Sequence, residues 1–183
     1  ETGGVKIAFS VGLNGVNYPL VLLAAIVGVA AVLVSPREME RAGEFHAHLL
    51  LILGGAVGAF LCTDLFFLYV FHEIALVPTF LMIVIWGRGP RKMNSAWTMA
   101  AYLIFGSMVL LMGLIAFLAA LPEGQRTTDL AALHQLMRDG FALTAGQQSL
   151  VFALVGLGFG VLVGLFPFHS WAPQGYSAAP TPV

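Results

Sequence analysis

The chain has 183 residues, of which 59% are hydrophobic and only 9% charged, against roughly 25% charged in an ordinary soluble domain. A mean hydropathy of +0.92 excludes a water-soluble globule of this size, whose surface would need many more polar side chains. The net charge of −1, without a Lys/Arg stripe, argues against a nucleic-acid partner. The single cysteine, Cys62, excludes an internal disulfide or a cysteine-built metal site, so no metal ligands are assigned. The expected class is an all-α integral membrane protein whose immediate surroundings are the lipid bilayer.

Taken in chain order, the start Glu1-Thr2-Gly3-Gly4 has neither Met nor a basic leader, which reads as a beginning inside a longer polypeptide. The first span is 17–35, closed by Pro36 and the loop Arg37-Glu38-Met39-Glu40-Arg41. From residue 46 to 86 the sequence is almost wholly apolar, about twice the roughly 20 residues that cross a bilayer. It must fold back, and Cys62-Thr63-Asp64 is the turn chemistry available, with Thr63 or Asp64 able to cap the next helix. This gives spans at 46–61 and 65–86, then the breaker and basic loop Gly87-Arg88-Gly89-Pro90-Arg91-Lys92. A fourth span covers 95–121 and stops at Pro122. Within 128–139, Leu130, Leu133, Leu136 and Met137 recur at helical spacing, as in an amphipathic helix at the interface. A fifth span, 148–166, is broken at Phe166-Pro167-Phe168. The whole, 1–183, is read as one membrane domain. The short loops carrying Arg37, Arg41, Arg88, Arg91 and Lys92 outweigh the opposite side, with Lys6, Arg126 and Arg138, so their side is taken as cytoplasmic.

One acid does not fit the interfaces. Glu73 falls mid-span, about 12 Å into a helix starting near Leu65. A carboxylate there costs about 2.5–3.5 kcal/mol on insertion scales, so it is expected to be protonated, paired, or facing water. The plainer alternative is a neutral Glu hydrogen-bonded to a neighbouring helix for packing. Five residues on, Pro78 opposes the carbonyl of Ile74 and is expected to break the helix beside the acid, or only to kink it for packing. His72 is adjacent in sequence; helix neighbours point about 100° apart, so no pairing with Glu73 on one face is expected. It is read as structural or as a proton relay, and His46 and His48 as interfacial.

The second feature is Phe166-Pro167-Phe168-His169-Ser170-Trp171-Ala172-Pro173, then Ala179-Pro180-Thr181-Pro182. Four prolines in sixteen residues are not expected to continue as helix. Pro167 and Pro173 are read as helix breaks, either lining a hydrated cavity at membrane depth or forming a surface loop. His169 is a candidate proton-path residue there. A hydrolase built on Ser170 and His169 is disfavoured, because adjacent residues rarely orient as nucleophile and base.

The run Leu68-Tyr69-Val70-Phe71-His72-Glu73-Ile74-Ala75-Leu76-Val77-Pro78 with Ile85-Trp86-Gly87 resembles the fifth-helix motif of the antiporter-like subunits of respiratory complex I, subunit M or chain 4 among them. Phe166-Pro167-Phe168-His169-Ser170-Trp171, with Ala179-Pro180-Thr181, is similar to the broken seventh helix of that family. Gly12-Leu13-Asn14-Gly15-Val16 with Pro19-Leu20-Val21-Leu22-Leu23 matches the entry to its third helix, and Tyr102 with Gly106-Ser107 fits its sixth. The resemblance implies helices three to seven of about fourteen, the first of two inverted five-helix repeats. It implies that Glu73 is the helix-five glutamate that takes part in proton transfer. The lysine that pairs with it in relatives is Leu162 here, a second family lysine is Thr98, and other ionisable positions are Asn14, Gln174, Tyr176 and Ala178.

The resemblance therefore implies a proton-translocating membrane-arm subunit of an NADH:quinone oxidoreductase-type complex, in a bacterial inner membrane, beside other membrane-arm subunits. With no Cys cluster, haem motif or nucleotide loop, this chain is expected to hold no redox cofactor. NADH, flavin, iron–sulfur clusters and quinone are expected in partner subunits. The alternatives are a subunit of a multisubunit cation/proton antiporter or membrane-bound hydrogenase, and a scaffold that transports nothing.

Overall fold

The computed structural model describes residues 4–36 and 40–182. The readings attached to residues 1–3 and to Arg37 and Glu38 lie outside the described residues. Seven α-helices follow in order: α1 Asn17–Val34, α2 Ala42–Leu61, α3 Leu65–Trp86, α4 Lys92–Ala120, α5 Leu130–Arg138, α6 Ala145–Leu162 and α7 Trp171–Ala178, with a 3-10 turn Phe168–Ser170 before α7. Five of them (α1, α2, α3, α4 and α6) are long and apolar enough to cross a membrane. Their outward faces carry large exposed apolar side chains, among them Leu33, Phe105, Met108 and Phe152. Such faces suit lipid or neighbouring helices rather than water.

Several helix starts have a local cause. Ahead of α1, Asn14 and Asn17 bond reciprocally: Asn14 N donates to Asn17 Oδ1 at 2.7 Å and Asn17 N to Asn14 Oδ1 at 2.9 Å. Asp64, not Thr63, caps α3, its Oδ1 accepting from Phe66 N at 2.9 Å and Phe67 N at 3.2 Å. Asp129 caps α5 through Ala132 N. Thr144 and Gln147 form a capping box at α6, which starts that helix three residues before the expected Gln148. Helices α2 and α4 likewise begin earlier than expected, at Ala42 and Lys92. Lys92 turns its Nζ back to Ile85 O at 3.0 Å, so its charge sits at the helix end.

The end of α6 also differs from expectation. It stops at Leu162 because Gly164 takes a left-handed φ of +70°. Gly164 N then bonds Val161 O at 3.2 Å and Leu165 N bonds Gly160 O at 2.8 Å, the Schellman closure. Pro167 comes after this stop instead of causing it. Pro173 does not break a helix either: it is the third residue of α7, where a missing N–H costs no intrahelical bond. Pro78 lies inside α3, which runs on to Trp86.

Packing is pairwise and close. Helix α4 lies mainly on α6, and α2 on α3; α4 also touches α3 and α7, while α1 rests chiefly on α2. One buried cluster joins Ile83, Ala96, Met99, Trp171 and Ala178, and a second joins Phe45, Leu49 and Met82. Small residues set the approach, as in other membrane helix pairs. A Cβ on Gly158 would lie 2.7 Å from Leu110 Cα, and one on Gly58 would lie 2.4 Å from the Phe71 ring. At the end opposite the basic loop, the extended segment around Lys6–Gly12 is laced across the turns. Thr63 N donates to Ser10 O, Gly12 N to Leu61 O, Lys6 N to Arg126 O and Leu65 N to Thr128 O.

The α4–α6 contact is thus expected to reject bulk. Gly158→Val should destabilise the bundle by about 1–3 kcal/mol, the usual range for overpacking, read as a lower midpoint of thermal unfolding in detergent. The same change at exposed Gly156, where a Cβ meets nothing, should leave that midpoint almost unmoved.

Candidate functional site

Glu73 is the ninth residue of the 22-residue α3, near the middle of the span. Its side chain is about one-third exposed, at 36%. Two groups meet the same carboxyl oxygen. Ser107, on α4 and only 2% exposed, donates its Oγ hydrogen to Glu73 Oε1. His72 Nδ1 stands 3.3 Å from Glu73 Oε1. Tyr69 extends the cluster, its hydroxyl 2.8 Å from Ser107 Oγ. A mid-membrane acid is therefore held by a hydroxyl pair on one side and an imidazole on the other.

The contact with His72 corrects the expectation that adjacent helix residues cannot pair. The 100° rule describes the directions of the Cα–Cβ bonds. Two long side chains bend around the helix far enough to touch. The ring of His72 also lines a groove of about 320 Å³ with Gly55, Ala59, Phe71 and Leu76. Here the small residues of α2 leave space beside α3.

Pro78 is buried on the same helix. It cannot donate to the carbonyl of Ile74; beside it, Thr79 Oγ1 donates to a different carbonyl, Ala75 O, at 2.7 Å. The helix continues, with one carbonyl freed of its usual partner directly after the acid.

The structure keeps the proline segment apart from this cluster. His169 is exposed and its ring lies 5.8 Å from Phe166; no hydrogen bond joins it to Glu73 among the described residues. Pro167 and Pro173 shape the passage from α6 to α7 and touch no part of the cluster's hydrogen bonding. That passage is polar-satisfied: Trp171 Nε1 donates to Val161 O at 3.0 Å, and Ser170 Oγ donates to Tyr102 OH at 3.1 Å. Leu162 ends α6 and Thr98 lies in the second turn of α4, so neither position supplies a cation. Among the described residues, no Lys or Arg lies within ion-pair distance of Glu73.

The family model described as NADH:quinone oxidoreductase/Mrp antiporter, transmembrane, matches residues 62–183. The chain belongs to this family. It is 34% identical to F(420)H(2) dehydrogenase subunit M of Methanosarcina mazei, over 94% of this chain and 35% of that protein. It is 33% identical to NAD(P)H-quinone oxidoreductase chain 4 3 of a Picosynechococcus strain, over 97% of this chain and 31% of that protein. Among solved structures, a chain of respiratory complex I from Thermus thermophilus with bound NADH superposes with a TM-score of 0.78 and 26% identity, over 98% of this chain and 36% of that one. The chain spans about a third of the length of these curated relatives.

Within this antiporter-like chain, sequence reasoning singled out Glu73 but missed Ser107 and the full burial of Asp64. Ser107 carried a usable signal, as the lone hydroxyl in the apolar stretch 103–120 of α4. Asp64 was placed at a helix end, where exposure is the usual expectation. It is instead 0% exposed, its Oδ2 accepting from Thr128 Oγ1 at 2.5 Å. Next to it, Cys62 is buried against Ser10 O and Asp64 O.

Burial pushes the Cys62 thiol above its ordinary range, a rise opposed by its backbone hydrogen bond to Asp64. A raised thiol pKa means less thiolate at any given pH, and the thiolate is the nucleophile. At pH 8 the folded chain should therefore react with a water-soluble maleimide at least about tenfold more slowly than free cysteine. Mass spectrometry of the labelled protein checks this; labelling at the rate of free cysteine would contradict the buried geometry.

Proposed function

We propose that this chain works in proton translocation as part of a membrane-arm subunit of a quinone-reducing complex of the NADH:quinone oxidoreductase type. One observation carries the proposal: a carboxyl at mid-membrane depth, bonded to a buried hydroxyl on the neighbouring helix and in contact with an imidazole. An acid in hydrocarbon is costly and is retained where it serves ion or proton movement. Membership of the antiporter-like family agrees with this reading.

The mechanism we infer is electrostatic. Redox energy released in partner subunits changes hydration and charge around Glu73, and the proton affinity of its carboxyl follows. Glu73 then takes a proton in one state and gives it up in the other. His72 brings a ring nitrogen to the same oxygen, a second group able to hold a proton there. The NADH, flavin, iron–sulfur clusters and quinone belong, on this reading, to other subunits, and the membrane is a bacterial inner membrane.

A second reading has its own support. Leu162 and Thr98 stand where the family resemblance implies lysine, so a chain that only connects its neighbours in the membrane fits that loss of charge. Glu73→Gln in the full-length subunit, assembled in its complex and reconstituted in vesicles, separates the two. Translocation should fall by about tenfold or more, within the usual contribution of a positioned proton donor, with assembly unchanged. Wild-type pumping in the assembled variant would establish the connecting role instead.

A further inference from the structure

We propose that the seam between α4 and α7, at the basic end of the bundle, binds an anionic phospholipid. Arg88, Arg91 and Lys92 hold its phosphate, and an acyl chain lies along α4. The site is separate from Glu73 and does not depend on the role of that residue.

The upper part is a cationic recess. Helix α3 ends at Trp86 and α4 starts at Lys92, so the loop between them lies at the membrane face, the level of lipid headgroups. Arg88, Arg91 and Lys92 line a recess of about 300 Å³ together with Ser95 of α4 and Ser177 of α7. Two anchors fix its shape: Arg88 N donates to Ala178 O at 2.8 Å, and the Arg88 guanidinium donates to Thr181 Oγ1. Lys92 Nζ gives one hydrogen to Ile85 O and keeps two. Among the described residues, no carboxylate lies within ion-pair distance of any of the three cations. Of the acids described on this side, Glu40 and Glu44 flank the start of α2, and Glu44 is taken by Arg41. Three uncompensated cations about one recess attract an anion, and phosphate oxygens accept from guanidinium forks especially well.

The lower part decides what carries the phosphate. Ser95, Thr98, Tyr102 and Phe105 recur at i, i+3, i+7 and i+10, one stripe of α4. Ser95 opens on the recess, while Ala101, Tyr102, Phe105 and Phe168 line a second groove of about 310 Å³ that is almost wholly apolar. Ser95 and Tyr102 are about 10 Å apart along the axis, so the groove lies below the recess, towards the hydrocarbon. The bond from Ser170 Oγ to Tyr102 OH holds the 3-10 turn that carries Phe168 against α4. A charged recess above an apolar groove, on one helix stripe, matches a molecule with an anionic head and a hydrocarbon tail. A free phosphate ion has no use for the groove. A basic loop that only sets topology needs neither recess nor groove.

The test uses the full-length subunit in its assembled complex, purified in detergent. The probe is phosphatidylglycerol with a photoactivatable diazirine in one acyl chain; phosphatidylcholine with the same chains is the neutral control. Mass spectrometry locates the crosslinks. Labelling at Ala101, Tyr102, Phe105 and Phe168 should be at least about fivefold stronger from phosphatidylglycerol, and Arg91→Gln should cut it about fivefold, the worth of one cation beside anionic lipid. Arg91 is exposed and is neither of the anchors above, so its loss should leave assembly intact. Ala101→Phe, which fills the groove and keeps every charge, should weaken labelling at Phe168 as well. Should Arg91→Gln fail to assemble, the two lipids on the wild-type complex decide alone. Equal labelling by both lipids would overturn the site. So would suppression by inorganic phosphate, at matched ionic strength, as strong as that by unlabelled phosphatidylglycerol; the recess would then hold a free anion. Carbodiimide coupling of Lys92 to an acid of a neighbouring subunit, with no lipid crosslink, would overturn it in favour of a protein contact.

Discussion

A polar group in hydrocarbon must find its partner inside the protein, since an unpaired backbone N–H or C=O there costs several kcal/mol. Where this chain leaves regular helix after α6, the departure comes with replacement bonds. After α6 the Schellman closure at Gly164 and the Trp171 indole take up the last carbonyls. At Pro78 the Ile74 carbonyl loses its usual donor, and the Thr79 hydroxyl bonds to the next carbonyl, that of Ala75. Glu73 obeys the same rule at side-chain level. Its oxygen Oε1 meets Ser107 and His72, and the Ser107 bond ties α3 to α4 at this depth.

The constraint also explains why small residues dominate the interfaces. Lipid tails give no hydrophobic drive for helices to associate, so close backbone approach has to supply the contact. Gly58 against Phe71 and Gly158 against Leu110 bring α2 to α3 and α4 to α6. Between those two tight pairs lies the looser α3–α4 seam, and the polar cluster occupies it. The arrangement puts Glu73 at this seam, beside a groove lined by His72.

Much of the fold was legible because composition and length act on whole segments. Apolar runs of about 20 residues identify spans irrespective of tertiary detail, and Asp64 was visible as a cap candidate from its place before Leu65. The boundaries that failed were set by short-range chemistry that hydropathy does not weigh: the Thr144/Gln147 capping box at the start of α6 and left-handed Gly164 at its end. Prolines drew attention that glycine deserved. Pro173 sits harmlessly in a first helical turn, and Pro167 follows a helix already ended. Within the site, Glu73 stood out by cost alone. Its partners did not, because contact between α3 and α4 is a tertiary fact. The His72 contact depends on side-chain bending that residue spacing does not encode.

The central claim is that Glu73 is a carboxyl whose protonation changes during turnover and whose proton is shared with Ser107. Infrared difference spectroscopy of the assembled complex, comparing resting and turning-over states, tests it most directly. The account predicts a carboxylic C=O band that appears or vanishes with turnover, shifts in heavy water and in Ser107→Ala, and is missing in Glu73→Gln. A band at Glu73 that stays constant through turnover, or one indifferent to Ser107, would contradict it.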